Sequence, residues 1–410
     1  MIVIQPTFDV ASDFSEGLAV VGFVNIINDA PVPKLGYINS SGATVIPFQY
    51  YDAQNFSEGL AAVGIYKESF GEYPVLYGFI DQKGDTIITH QYQFASRFVN
   101  GRALVLDVVD KFFGYINSSG ERIINLPDLD AKFAADFFEE LALVGVETRI
   151  NPLYYLDGRN WAQISNPQYI FKYIDPSGAE VIKLDALYNF ASPFFEGLAM
   201  VSTQSIASSE PSRVGFINKN GNLVIDLNYN WGTPFSEGLA LVGKIDDPSS
   251  PYLSYGYLDQ QGNEVINFEY GKAFAFFDGL AWVFNAAFNG FIDKQGKEVI
   301  DLWRLELDLD PFNPPAFSEG LLSVSTPFSD DTPALIGWID KRGEVVIKLQ
   351  YQQVRRFSEG FAAVQVDGQW GYIYNPLIKT TAPAKKTFQS LYTVTNWEPN
   401  KTTNLRGYRK

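Results

Sequence analysis

Apolar residues along this chain fall into short bursts separated by polar turns, and the bursts recur in a fixed order. A Leu-Ala-x-Val run, as at 18–21, 60–63, 141–144 and 239–242, precedes a Gly-aromatic-Ile/Leu run, as at 36–38, 78–80 and 290–292. A third run centred on Val-Ile follows, such as ATVIPF at 43–48 or KEVIDL at 297–302. The bursts are short, rich in β-branched and aromatic residues, and bounded by Gly, Asn, Asp, Pro and Ser, which predicts strands. Every copy thus supplies at least three short strands, the first pairing with the second and the second with the third. The stretches FQYYDA at 48–53 and YQFAS at 92–96 are either a fourth short strand or a crossing segment.

The order is a repeat. FSEGLA at 14–19 and 56–61 returns as FVNGRA at 98–103, FFEELA at 137–142, FFEGLA at 194–199, FSEGLA at 235–240, FFDGLA at 276–281, FSEGLL at 317–322 and FSEGFA at 357–362. The glycine position falls at 17, 59, 101, 140 (occupied by Glu), 197, 238, 279, 320 and 360, so the intervals are 42, 42, 39, 57, 41, 41, 41 and 40 residues. Nine ordered matches at one spacing define a tandem array, and the repeat overrides the usual inference of two or three domains from 410 residues.

The second signature predicts a turn. The tetrads GYIN at 36–39, GFID at 78–81, GYIN at 114–117, KYID at 172–175, GFIN at 215–218, GYLD at 256–259, GFID at 290–293 and GWID at 337–340 each have a glycine three residues after the Asp or Asn. The ninth, GYIY at 371–374, is degenerate. Asp or Asn at the first turn position accepts backbone N–H bonds and glycine at the fourth tolerates positive φ, as in a type I turn closed by a bulge; Pro176 suits the second position. Length variation is concentrated before the tetrad, where 10 to 31 residues follow the motif glycine position. These polar, Pro-rich connections, such as NDAPVP at 28–33, DDPSSP at 246–251 and SDDTPA at 329–334, should emerge along one edge. Tolerated insertion explains them most simply, with a binding edge as the other reading.

A lone three- or four-stranded meander exposes a face, so the units must stack. The aromatic before SEG and the tetrad aromatic are the expected contacts between units. The expected fold is all-β, a tandem array of about nine three- to four-stranded units over residues 1–379 arranged as an open β-superhelix or solenoid; the alternative is a closed β-propeller-like ring. The run IVI at 2–4 occupies the place of a Val-Ile strand, which suits closure, but nine units exceed the four to eight blades typical of propellers. Residues 380–410, with six Lys/Arg and one Glu, form an expected flexible basic tail.

Composition narrows the chemistry. A net charge of -16 disfavours nucleic acid as a partner, and the absence of Cys excludes disulfides and thiolate chemistry. No window of about 20 apolar residues is present, so no membrane span is expected. Cytoplasm is the expected location, from the lack of a visible signal peptide and of Cys. The only histidine is His90, expected as an ordinary strand residue. The acids at turn entry, Asp81, Asp175, Asp259, Asp293 and Asp340, interchange with Asn39, Asn117 and Asn218, which capping tolerates and a general acid does not. Glu16, Glu58, Glu196, Glu237, Glu319 and Glu359, interchanging with Asn100 and Asp278, are assigned to local hydrogen bonding, with a repeated cation or ligand site as the alternative. No catalytic, cofactor or metal residue is nominated. Trp161, Trp231, Trp282 and Trp303 lie off the tetrad and are the tryptophans whose exposure matters.

The combined signatures resemble the WG-repeat family, whose units look like WGYIDxxGxxVIxxxYDxAxxFSEGLAxV. Trp370-Gly371 matches the name-giving dipeptide, and Trp338 stands one place later, after Gly337; elsewhere the dipeptide is lost while the rest of the unit persists over residues 2–378. The resemblance implies a bacterial β-repeat module that mediates interactions and brings no catalytic residues. The expected function is therefore a non-enzymatic protein-binding or scaffolding protein with an unidentified protein partner. The alternative is a carbohydrate-binding module that uses exposed Tyr or Trp.

Overall fold

In the computed structural model each unit folds as a four-stranded antiparallel sheet, and there are nine such sheets. The structure describes residues 2–378 except 28–29, 69–73, 130, 148–168, 204–211, 246–251 and 328–332. Trp161 and the basic segment 380–410 lie outside the described residues. In the first blade, Val10–Ala11 pairs with Leu18–Ile27, that strand with Ala30–Asn39, and that one with Thr44–Tyr50. The ambiguous stretch is therefore both things at once: Tyr51 alone separates the fourth strand of one blade from the two-residue first strand, Asp52–Ala53, of the next.

The ninth sheet decides the architecture. Its first three strands are Gln353–Val354, Phe361–Val366 and Gln369–Tyr374, and its fourth is Ile2–Phe8 from the other end of the array. Ile2 pairs with Ile373, Ile4 with Tyr372 and Phe8 with Trp370. The expected open superhelix is overturned: the array is a closed ring of nine blades, a β-propeller. The 57-residue interval is no obstacle, because its extra length lies between the strands Leu141–Glu147 and Tyr169–Ile174, which still pair directly. The ring occupies the compact unit Met1–Leu377.

The same contacts join every pair of neighbours. The tetrad aromatic of each blade packs against the motif Phe of the next, with ring centroids 4.7–5.4 Å apart at all nine joints, from Tyr37–Phe56 round to Tyr372–Phe14. Where the tetrad aromatic is Tyr, its buried hydroxyl donates to a backbone carbonyl of the next blade, as Tyr37 to Gln54 and Tyr372 to Ser12. Burying the ring and satisfying the hydroxyl together is what a buried Tyr needs.

The turns behave as their sequence predicts. In all eight complete tetrads the Asp or Asn Oδ1 accepts backbone N–H bonds two and four residues on, as Asn39 does from Ser41 and Ala43. The turn glycine of each of these blades also lies against the Val-Ile isoleucine of the blade before. A Cβ placed on Gly42 (φ +82°) would sit 3.3 Å from Ile4, and one on Gly84 3.4 Å from Ile46, so glycine serves both backbone and packing.

Candidate functional site

The SEG carboxylates were assigned to local hydrogen bonding, and the structure places them across the joints. Glu16 accepts the N–H of Gly59 in the next blade; Glu58 accepts those of Asn100 and Gly101; Glu196 that of Gly238; Glu237 that of Gly279; Glu319 that of Gly360. Glu359 accepts those of Glu16 and Gly17, closing the circle. In the fourth blade Glu139 reaches Gly197 in the same way. The neighbouring serine adds a parallel bond: Ser15 donates to the Phe56 carbonyl, Ser57 to Phe98, Ser236 to Phe276, and Ser358 to Phe14. In the third blade, where this serine is Val99, the Asn100 amide donates to the Phe137 carbonyl instead.

This use of the carboxylates leaves little for a cation site, and no cluster of three or more metal-ligating side chains occurs among the described residues. The clamp comes at a backbone cost: the nine residues in the SEG glutamate slot all have φ between +47° and +56°. Lys294 and Lys219 overlay it, each meeting both a backbone carbonyl and a carboxylate, at Glu237 and Glu139 respectively.

Other titratable groups are also built into joints. Burial pushes the Asp13 carboxyl above its ordinary range although Arg356, 3.4 Å away across the closing joint, pulls it down. Burial likewise raises Asp136, against the lowering influence of Arg97. Glu319 is raised by burial, against its bond from Gly360. His90 sits on the fourth strand of the second blade, stacked at 6.4 Å on Tyr50; burial and then Lys67 hold its pKa down. A shallow cavity of about 410 Å³ beside Val3, Ile347 and Tyr374 is lined mainly by apolar side chains and lacks a carboxylate pair.

What the packing leaves unexplained is a row of aromatics on the first strands. Four residues before the motif Phe stand Phe94, Phe133, Phe190 and Trp231, in blades three to six. Their ladder partners, Leu106, Gly145, Ser202 and Gly243, occupy the same position in each second strand, so the four share one register in consecutive blades. They are 46%, 37%, 47% and 39% exposed, whereas the next residue in three of those strands, Ala95, Ala191 or Gly232, is buried. Strand alternation therefore turns the small residue into the joint and the large one out of it. The same register holds Val10, Asp52, Lys272, Asp308 and Gln353 in the other five blades.

Two of these rings are braced from behind. Trp231 meets Tyr255 edge-on at 5.5 Å and 85°, across Gly243, where a Cβ would approach the Tyr255 ring to 3.1 Å. Phe133 and Tyr169 flank Gly145 in the same way. Two of the adjacent amides are already committed: Gln93 accepts the Val108 N–H, and Asn230 accepts the Ile245 N–H while donating to the Ser212 carbonyl, whereas the buried Asn189 Oδ1 beside Phe190 meets no donor among the described residues. At the flanks of the row, Asp52 accepts the Tyr77 hydroxyl at 2.7 Å, and Lys272 lies 6.0 Å over the Phe284 ring.

Of the tryptophans singled out by sequence, Trp231 joins this row and Trp303 is 47% exposed against Phe284. Trp282 is buried and donates to Asn289. The three phenylalanines were not anticipated. Their signal is visible in FASRF, FAADF, FASPF and WGTPF, set against VASDF, DAQNF, KAFAF and QVRRF, once the position is known to be a strand.

The model of the family described as WG containing repeat matches residues 1–22, 36–65, 77–106, 173–204, 215–244, 255–285 and 336–370, a little over half of the chain. No curated protein matches the sequence. Among solved structures the chain is similar to the β-propeller domain of the Trilobed protease from Pyrococcus furiosus, at 10% identity over 68% of this chain and 90% of that one, TM-score 0.37. It is similar to a eukaryotic initiation factor at 10% identity over 92% of each chain, TM-score 0.49, and to the Pyrococcus horikoshii acylaminoacyl peptidase at 8% identity over 82% and 57%, TM-score 0.36. At such scores these likenesses carry no argument, and the ring rests on its strand pairing.

Proposed function

Because the chain belongs to the WG containing repeat family and closes its units into a propeller, we propose that it is a protein-binding scaffold without catalysis of its own, docking its partner on the aromatic row. The observation that carries this reading is the four exposed rings held at one register in consecutive blades. Exposed aromatics braced by neighbours are the side chains that most often anchor interfaces, since they bury large area at small entropic cost. The use of the repeated carboxylates in joints and turns supports the non-catalytic part. Propellers host many unrelated functions, so the surface is the basis of the reading and the fold is not.

The test is quantitative capture from lysate by the wild-type ring and by a variant carrying Phe94→Ser, Phe133→Ser, Phe190→Ser and Trp231→Ser, read by mass spectrometry. A protein enriched in stoichiometric amount by the wild type and lost by the variant supports the proposal. A partner retained by the variant removes the row from it, and saturable retention on linear glycans with no protein partner sinks the scaffold reading.

A further inference from the structure

Eight of the nine joints share a packing detail that the joint between the eighth and ninth blades lacks. The turn glycine of each complete tetrad lies against the Val-Ile isoleucine of the blade before. From Gly42 on Ile4 round to Gly343 on Ile300, a Cβ built on the glycine would stand 2.9–3.6 Å from that isoleucine. The ninth isoleucine, Ile347, has no such glycine. The ninth sheet takes its fourth strand from Ile2–Phe8, so the chain leaves Tyr374 without turning back into a strand of its own. Leu377 occupies the glycine position, and its side chain approaches Gly320 instead. Over Ile347, where a turn packs in the other joints, lies the cavity of about 410 Å³, walled by Ile347, Val346, Val3, Tyr374 and Pro376.

We infer that this cavity of the closing blade is a binding site for a small amphiphilic anion, an apolar body that carries one carboxylate. Its walls are mostly hydrocarbon, and its volume falls at the low end of the about 300 to 1,000 Å³ usual for small-molecule sites. Charge selects the sign of the ligand. The remaining lining residues are Lys348 and Gln350, both exposed and so at the mouth, and no Asp or Glu lines the cavity in a chain of net charge -16. Lys348 makes no ion pair among the described residues, which leaves its ammonium for a carboxylate. A second copy of the chain has no turn to offer, because the glycines of its eight complete turns are packed inside its own ring. An added strand is excluded as well, since Ile2–Phe8 already holds the fourth place of the ninth sheet. A ligand in the cavity touches Val3 of the closing strand on one side and Val346 and Ile347 of the eighth blade on the other. It therefore ties that strand to its neighbour, and by mass action it favours the closed ring.

The test is isothermal titration calorimetry of the full chain with octanoate, and with octylamine as the same tail bearing the opposite charge. Saturable binding of octanoate to one site is expected, weakened about tenfold by Lys348→Glu, which reverses the charge at the mouth, and about as much by Val3→Phe, which fills the space. Both positions are exposed, Val3 at 45%, and near-ultraviolet circular dichroism checks that the variants fold. Octylamine should bind at least about tenfold more weakly than octanoate. Hydrogen exchange supplies the second readout: octanoate should slow the amides of Ile2–Phe8 and leave those of the internal fourth strand Thr86–Tyr92 unchanged. Absent saturable binding of octanoate, or binding that both variants leave unmoved, overturns the inference. So does octylamine binding as tightly as octanoate. Saturable binding without added protection of residues 2–8 overturns it too, because the ligand would then sit away from the closing strand.

Discussion

A glutamate in left-handed backbone is a costly choice that the clamp explains. Glycine would be at ease at the φ of +55° of Glu58, but only a side chain of this length carries a carboxylate to the N–H groups of Asn100 and Gly101 at 2.7 and 2.8 Å. Glu58→Gly should therefore still destabilise the ring, and Glu58→Ala, which loses the same bonds and keeps the backbone strain, should lose about 1 kcal/mol more, as measured by urea unfolding. Glu319 gives a prediction in pH. Its folded pKa is raised above the ordinary 4.5 by burial, so the folded state holds the proton more tightly than the unfolded chain. The wild type then loses stability as pH rises through the window that begins near the unfolded value and ends at the folded one. Glu319→Gln has no such group and can still accept the Gly360 N–H. Thermal midpoints taken from about pH 4 to about pH 7 should shift in the variant's favour as pH rises, and a parallel pair of curves would contradict this.

At the scale of the element, the hairpin turn was the part most open to reading from sequence, because its chemistry is local. Asp293 bonds Gln295 and Lys297 within its own turn, and Asn does the same at 39, 117 and 218. Asp293→Asn should accordingly be close to neutral, whereas Asp293→Ala should cost about 1 kcal/mol in chemical denaturation. The pairing of tetrad aromatic with motif Phe was also legible, since large apolar residues that recur in phase with a scaffold must pack where the scaffold repeats. The clamps were not, because a side chain that bonds 43 residues away, as Glu16 does to Gly59, leaves no trace in its own neighbourhood. Phe94 and Phe190 were missed for a different reason. Their two-residue strands are too short to display an alternation, so the outward-facing position emerges only from the ladder.

For the whole molecule the question was closure, and the decisive fact lay at the two ends of the array. The run at 2–4 was visibly a Val-Ile strand without a blade, but a blade number beyond the usual range favoured an open form. Nothing local in a sequence states the angle between neighbouring sheets. Closure makes all nine joints equivalent, which an open array forbids, because its terminal units have one neighbour and unravel first. Phe14 belongs to the closing joint and Phe98 to an internal one; each is buried, and each ring packs on a tetrad aromatic. Phe14→Ala and Phe98→Ala should each cost about 3 to 5 kcal/mol and agree within about 1 kcal/mol. A much cheaper Phe14→Ala in urea unfolding would argue against a cooperative ring.

The carboxylate clamps, found at seven of the nine joints, all point the same way round, a blade offering its carboxylate to its successor's N–H groups. In the vocabulary of assemblies, this is a head-to-tail contact repeated until rotation closes it, with the blade as the subunit and the chain merely tethering nine of them. Cutting the tether should not erase that geometry. A fragment of three consecutive blades has complementary sticky ends, and three copies of it complete a ring of nine. Light scattering should then find a trimer that dissociates on dilution; a fragment that stays folded and monomeric at every concentration would mean that closure depends on the covalent chain.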